Sequence, residues 1–300
     1  MLNPYIVATD WIITASKIKT FIKSPELYYV KFENKLEIEE EDKRCFVVGS
    51  AFDTLVSYWH EAFLEKYYVD DWLVVDELKQ KLIAEGNDPD MIMKLKLPQL
   101  RAMYYNDAER VRLTPAEGRD IMGMYREVMR QPVCDLGNEG YLLQHRVDAE
   151  YKWVKVWGTL DRYHPEKKLI RDRKTSGRID RFVYDIENTF DYILSMSFYF
   201  LLVYLNDKQE CDVILDVVGK GSPYPYIGYE LHKKVLLQKI KDTVIPALDF
   251  YIECKRNNER PAINPITKHP VDRMTLMNDP YYPYLESVLC DWFIDPRDQM

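Results

Sequence analysis

The feature that most constrains this chain is a change of pattern at about residue 141. Beyond it, two runs dense in β-branched and aromatic residues, Leu143–Tyr151 and Val154–Tyr163, are split by a short polar turn, which predicts a β-hairpin. A third strand, Lys168–Arg173, is predicted after Pro165-Glu166-Lys167. A very apolar helix near 189–205, a strand Cys211–Val218, a Gly/Pro loop and a strand Tyr226–Leu231 are expected next. A long helix then carries the stripe Leu236, Ile240, Val244, Leu248 and Tyr251, and Pro246 should kink or split it. The order βββαββα makes this half an α/β unit.

Before residue 141 the pattern is helical. Ser16 is placed to cap a turn carrying Ile18, Phe21 and Ile22, and Ser24-Pro25-Glu26 restarts a helix with proline at its tolerated first position. The acidic run Glu37–Asp42 is expected to be a solvated loop. After it, Ala51, Phe52, Leu55, Val56 and Trp59 share one helical face, which Asp53 leaves. Thr114-Pro115-Ala116-Glu117 is a capping-box start. The chain therefore divides into a helical region over 1–140, a core over 141–260 and a proline- and tyrosine-rich tail over 261–300, without internal repeats. With 300 residues, 47% of them apolar, a sizeable core is available.

Composition narrows the function. A net charge of -8 argues against a general polybasic coat for nucleic acid or anionic membrane, while leaving room for a local basic patch. The opening MLNPYIVATDW lacks the pattern of a signal peptide, and the apolar stretch Ile193–Leu205 falls short of the roughly 20 residues of a membrane span, so a cytoplasmic protein with no membrane partner is expected. Five scattered cysteines without a CxxC pair disfavour disulfides, zinc ribbons and iron–sulfur clusters, and read as reduced, mostly buried thiols. The five histidines form no HExxH or HxxxH pair, so any metal should sit on carboxylates, which points to Mg2+ or Mn2+.

The chemistry concentrates in Gly158-Thr159-Leu160-Asp161 and Leu169-Ile170-Arg171-Asp172-Arg173-Lys174-Thr175. Asp161 falls late in one strand and Asp172-x-Lys174 closes the next, so a hairpin can bring both carboxylates to one end of the sheet. Strand alternation sends Asp172 and Lys174 to one face and Arg173 to the other. Phosphodiester hydrolysis needs this inventory, because hard cations take oxygen ligands, neutralise phosphate and lower the pKa of an attacking water. Asp161 and Asp172 would be ligands, the carbonyl of Arg173 a third, and Lys174 would orient the water. Residues 165–181 carry seven basic side chains against three acidic ones, a local +4 along which a phosphate backbone could track.

These motifs, in this order, resemble the PD-(D/E)xK nuclease superfamily and within it the exonuclease VIII and phage lambda exonuclease group. The resemblance runs from Ala15-Ser16-Lys17 through Ser24-Pro25-Glu26-Leu27-Tyr28-Tyr29, Gly49-Ser50-Ala51-Phe52-Asp53 and Leu113-Thr114-Pro115 to the two strand motifs and Ser222-Pro223-Tyr224, about residues 12–260. It implies a restriction-endonuclease-like mixed sheet flanked by helices. The implied activity is Mg2+- or Mn2+-dependent hydrolysis of DNA, as an exonuclease resecting duplex ends in phage-type recombination, with a ring-like homo-oligomer and a single-strand annealing partner. The alternatives are a restriction or repair endonuclease, or an inactive nuclease-fold module that binds DNA or protein.

Three positions depart from that pattern. Asp53 stands where histidine is common and can still serve as a metal ligand; Ser195 replaces the glutamine of the Q-x-x-x-Y helix, whose Tyr199 is kept; and Ser24 takes the place of a cluster cysteine, favouring the cluster-free branch. Ser195, Tyr199, Arg171 and Arg178 are the expected substrate contacts. Glu139, Gln144 and Glu150 are candidates to extend the metal shell, Tyr28, Tyr29, Trp59, Tyr104 and Tyr105 to stack on bases, and Gly219-Lys220-Gly221-Ser222 is a phosphate-loop look-alike without the P-loop spacing.

Overall fold

The structure, a computed structural model, describes residues 12–33, 44–69, 75–96, 99–100, 110–131, 140–188, 191–259 and 263–269. The Glu37–Asp42 run, Tyr104, Tyr105, Cys134, Glu139, Cys290, residues 1–11 and the tail beyond residue 269 lie outside the described residues.

The patterned strands form the centre. β4 (Leu142–Tyr151) and β5 (Val154–His164) pair antiparallel as the predicted hairpin, and β5 pairs antiparallel with β6 (Leu169–Ser176). β6 runs parallel to β7 (Asp212–Gly219), which is followed by the antiparallel edge strand β8 (Tyr226–Glu230). The parallel step between β6 and β7 needs a crossover. It is made by a short 3-10 turn at Ile179–Arg181, helix α7 (Phe182–Asn188) and helix α8 (Tyr192–Asp207).

Helices cover both faces of this mixed sheet. On one, α8 lies between the sheet and helices α1 (Ala15–Lys23) and α9 (Lys233–Lys239), so it is buried nearly all round, as its predominantly apolar sequence requires. With α2 (Pro25–Phe32) and α10 (Ile245–Asn257) it encloses the main core, which includes Ile18, Phe21, Leu160, Ile170, Phe198 and Leu248. On the other face, α3 (Arg44–Lys66) and α6 (Pro115–Arg130) bury Phe52, Leu55, Ile121 and Met124 with Val218 of β7. Two further helices, α4 (Val75–Ala84) and α5 (Pro89–Lys94), form a small satellite core.

Several expectations for the helical half need correction. Short strands occur there: β1 (Ile12–Ile13) joins the main sheet beside β5, and β2 (Tyr67–Val69) pairs with β3 (Val111–Leu113). At two or three residues they are too short to show a period. Thr14, two residues before Ser16, caps α1 by accepting from the Lys17 amide. The Thr114–Glu117 capping box and the Ser24 cap are present. Trp59 leaves the predicted stripe because α3 kinks there into left-handed backbone (φ 68°), and its ring is exposed. Tyr28 and Tyr29 are core residues, their hydroxyls donating to Tyr251 Oη and the Glu259 carbonyl. In the second half, by contrast, Pro246 splits the long helix into α9 and α10 as expected. A π-helical turn at Ile240–Val244 precedes it, which places the proline in the first turn of α10 where its missing N–H costs little.

The cysteines give a direct check on this packing. Cys211 and Cys254 are buried, and burial pushes both thiols up to about 12, so their thiolate fraction near neutral pH is negligible; Cys45 is exposed. Iodoacetamide at neutral pH followed by peptide mass mapping should modify Cys45 in the native protein. Cys211 and Cys254 should react only after denaturation, and labelling of all three at similar rates would contradict the core described above.

Candidate active site

The site arises where the sheet stops being regular. Along one edge of β5 the β4 ladder is continuous except at one position, for the register steps from Leu143↔Arg162 to His145↔Leu160 and omits Gln144 and Asp161. Gln144 adopts left-handed backbone there (φ 45°). Along the other edge, β6 pairs with β5 only from Arg162 to His164 and β1 only at Lys155 and Val156. The two strands diverge between those points, and Asp161 stands at the fork.

Side chains fill the fork. Asp161 Oδ2 accepts from the Arg173 amide at 3.3 Å, a bond that stands in for the interrupted ladder. Asp172 and Lys174 lie on the α8 face of β6 and form an ion pair, as the alternation rule requires. Asp172 is buried. Burial raises its pKa, Lys174 pulls it back, and the nearby Asp161 carboxylate raises it further. Burial also works against the Lys174 ammonium, but Asp172 and Asp161 more than offset it and the pKa is raised, so Lys174 is a cation. Tyr199 stands beside this group, its hydroxyl pushed up to about 12 by burial, with Asp172 adding to the shift. Gly158 makes room for that ring, since a Cβ there would lie 2.8 Å from Tyr199 Cε1.

On the opposite face Arg173 reaches α3. Its Nη1 donates to Asp53 Oδ1 at 2.9 Å and to Ser57 Oγ at 2.8 Å. Gln144 Nε2 then links Asp53 Oδ2 (3.2 Å) to Asp161 Oδ1 (3.3 Å). Burial raises the Asp53 pKa, Arg173 opposes it and Asp161 adds to it. Asp53, Gln144, Asp161 and Arg173 thus lock α3, β4, β5 and β6 together, with Asp172 and Lys174 on the other side of the Arg173 amide.

Among the described residues no group of three or more His, Cys, Asp or Glu side chains is close enough to hold a metal ion. The donors present are nevertheless all oxygen: the Asp161 and Asp172 carboxylates, the Arg173 carbonyl and, one side chain away, Asp53. A magnesium-like cation is typically held by one or two carboxylates and retains several waters, so this set fits a hard divalent ion. The Gln144 amide donates between the Asp53 and Asp161 carboxylates, the kind of position for which a cation would compete.

The remaining site residues named from sequence fall unevenly around this centre. The Arg173 carbonyl accepts from Lys174 Nζ at 3.1 Å. Ser195 lies in the first turn of α8 and is half-buried, and Arg178, largely exposed, pairs with Asp185 at 3.7 Å. Arg171 points away from Asp172 and Lys174: alternation places it on the Arg173 face, buried, where its Nε and Nη2 donate to both oxygens of Asp216 at 2.9 and 2.7 Å. Glu150 is exposed at the far end of β4, about 20 Å of extended chain from Gln144. Lys19 and Tyr58 were not anticipated. The Lys19 ammonium lies 5.8 Å and the Lys174 ammonium 5.4 Å from the Tyr192 ring centre, and burial lowers Lys19 to about 8, with Asp191 opposing the shift. The Tyr58 hydroxyl is raised by burial and by Asp53 and Asp161. No local pattern marks Lys19 out from Lys17 or Lys23, because its neighbours come from β6 and α8.

Residues 14–264 match the model of a family described as "PDDEXK-like domain of unknown function (DUF3799)". The chain belongs to this PDDEXK-like family. No curated protein sequence matches it. Among solved structures, one described as a "Putative exonuclease" from Eubacterium rectale superposes with a TM-score of 0.55 at 15% identity, covering 93% of this chain and 99% of that one. At that identity the likeness is one of fold. Another, SSO0001, is 15% identical over 67% of this chain and 84% of its own, with a TM-score of 0.24 that carries no argument. The PDDEXK-like match spans every strand of the main sheet except β1, and it makes the nuclease fold the frame in which Asp161, Asp172 and Lys174 are read. No helix among the described residues is long and apolar enough to cross a membrane.

Proposed function

We propose that this PDDEXK-like protein is a Mg2+- or Mn2+-dependent deoxyribonuclease that resects duplex ends, as a recombination exonuclease does. The observation that supports it is the meeting of Asp161, Asp172 and Lys174 at the fork between β5 and β6. Asp161 and Asp172, with the Arg173 carbonyl, would hold the ion, and Asp53 lies within reach through Gln144. Bound there, a divalent cation supplies Lewis acidity and lowers the pKa of water. The chain does the rest by position and charge. Lys174, kept cationic by two carboxylates, orients the attacking water by hydrogen bonding and offsets charge that builds on the phosphoryl oxygens. Tyr199 is kept protonated by its surroundings, so it can donate but not act as a base at neutral pH. Ser195, shorter than the glutamine of the resembling nucleases, can hold a water or a phosphate oxygen from the start of α8.

The test is a titration of Mg2+ and Mn2+ against linear and covalently closed duplex DNA. Linear DNA should be degraded, closed circles should survive, and a chelator should abolish turnover. Cutting of closed circles would make the protein an endonuclease. DNA binding without cleavage under any metal would leave a binding module.

A further inference from the structure

The break in the β4 ladder puts one side chain where neither packing nor pairing explains it. Gln144 holds left-handed backbone (φ 45°) inside a strand, a conformation that disfavours any residue with a Cβ. Its side chain is exposed, so no core contact repays the strain. Local irregularities of this kind beside active sites re-aim a side chain, and here the amide is aimed from β4 into the fork.

The oxygens it meets are shared out in a regular way. Asp53 Oδ1 accepts from Arg173 Nη1 at 2.9 Å, and Asp161 Oδ2 accepts from the Arg173 amide at 3.3 Å. The second oxygen of each carboxylate turns to a single nitrogen: Gln144 Nε2 donates to Asp53 Oδ2 at 3.2 Å and to Asp161 Oδ1 at 3.3 Å. Both protons of that nitrogen are spent on anions. The reverse orientation would set Oε1 against two carboxylates with nothing to donate, so charge fixes which end of the amide faces them. Both bonds are longer than the roughly 2.9–3.0 Å at which N–H···O bonds cluster. One neutral nitrogen therefore does weakly, between two carboxylates, what a cation does strongly.

We infer that Gln144 is a switchable ligand of the divalent-cation site. In the geometry described, its Nε2 ties Asp53 to Asp161. On binding of Mg2+ or Mn2+ the amide makes a half turn about its Cγ–Cδ bond and presents Oε1, a neutral oxygen donor of the kind hard cations accept. That torsion is soft and two-fold, and an exposed amide turns without disturbing the core. The same turn frees Asp53 Oδ2 and Asp161 Oδ1, so three oxygens become available together. This rests on the metal-dependent nuclease reading and adds to its donor set a side chain that carries no charge.

Isothermal titration calorimetry of the full chain with Mn2+ alone, without DNA, tests the switch apart from activity. Gln144→Gly removes the amide and suits the left-handed backbone. It should bind Mn2+ about 10-fold more weakly, a loss typical of a missing partner at a metal site. Gln144→Glu supplies an oxygen that needs no turn, together with a charge, and should bind about 10-fold more tightly than wild type. In EDTA the same variant should melt below wild type, because three carboxylates then face one another. Were Gln144 only a tie among α3, β4 and β5, both variants would melt lower and keep the wild-type Mn2+ affinity, and that result would overturn the inference. Tighter binding by Gln144→Gly would overturn it too, by making the amide a competitor of the ion. Degradation of linear DNA by the wild type, measured alongside, separates the two readings. Degradation with Gln144-independent Mn2+ binding removes only the switch, Gln144-dependent binding without degradation removes only the nuclease, and a wild type that binds no Mn2+ removes both.

Discussion

Lys174→Ala is expected to lower metal-dependent DNA cleavage by about 10³-fold, the scale on which a single preorganised donor to a developing oxyanion contributes. The geometry makes the effect specific. Lys174 is the counter-ion of buried Asp172, and Asp161 approaches the same carboxylate. Removing the ammonium leaves two carboxylates facing each other, an arrangement that attracts a divalent cation at least as strongly as before. Lys174→Ala should therefore retain Mn2+ binding, measured by calorimetry, while losing turnover. Asp172→Asn should lose both, since it removes an oxygen ligand together with its charge. Lys174→Arg should not restore cleavage, because the planar guanidinium is larger and cannot place a point charge where the ammonium stood. Cleavage by Lys174→Ala at the wild-type rate would end the proposed role of this residue.

The parts of the site legible in the sequence are those that depend on a short repeat. The alternation of Asp172, Arg173 and Lys174 within one strand follows from the two-residue period, and the hairpin before it follows from β-branched and aromatic runs with a polar turn. Asp161 could be placed near them once both strands were assigned. What the pattern could not show is that pairing fails at Gln144 and Asp161, since a skipped ladder position leaves the composition of both strands unchanged. Pairs between distant segments were equally hidden. Arg173 looks like a surface cation in sequence, yet it is the buried tie to Asp53 and Ser57 of α3. Trp59 fits the helical stripe and still leaves it, because the backbone turns left-handed there. Lys19 approaches Lys174 only because α1 packs on α8, a contact no local window contains.

Arg171 shows the same limit with the largest consequence for stability, and Asp216→Ala is expected to destabilise the protein by about 3–5 kcal/mol, read as a shift of the urea midpoint. The local +4 over residues 165–181, which includes Arg171, counts a guanidinium that is almost wholly buried. It is held by both oxygens of Asp216, and the Tyr226 hydroxyl donates to Asp216 Oδ1 at 2.6 Å. Each side chain of the pair is 6% exposed, so alanine at 216 leaves a buried cation without its carboxylate, with the Tyr226 hydroxyl, 3.3 Å from Nη2, too weak an acceptor to replace it. The cost belongs to the stranded charge rather than to the pair, because two buried ions give up most of their attraction to desolvation. Replacing both, as Arg171→Met with Asp216→Leu, should therefore recover most of the loss. That double variant also decides the role of Arg171. Cleavage with the wild-type KM would confirm a purely structural guanidinium, whereas a KM raised about 10-fold in a protein of restored stability would return Arg171 to the substrate path.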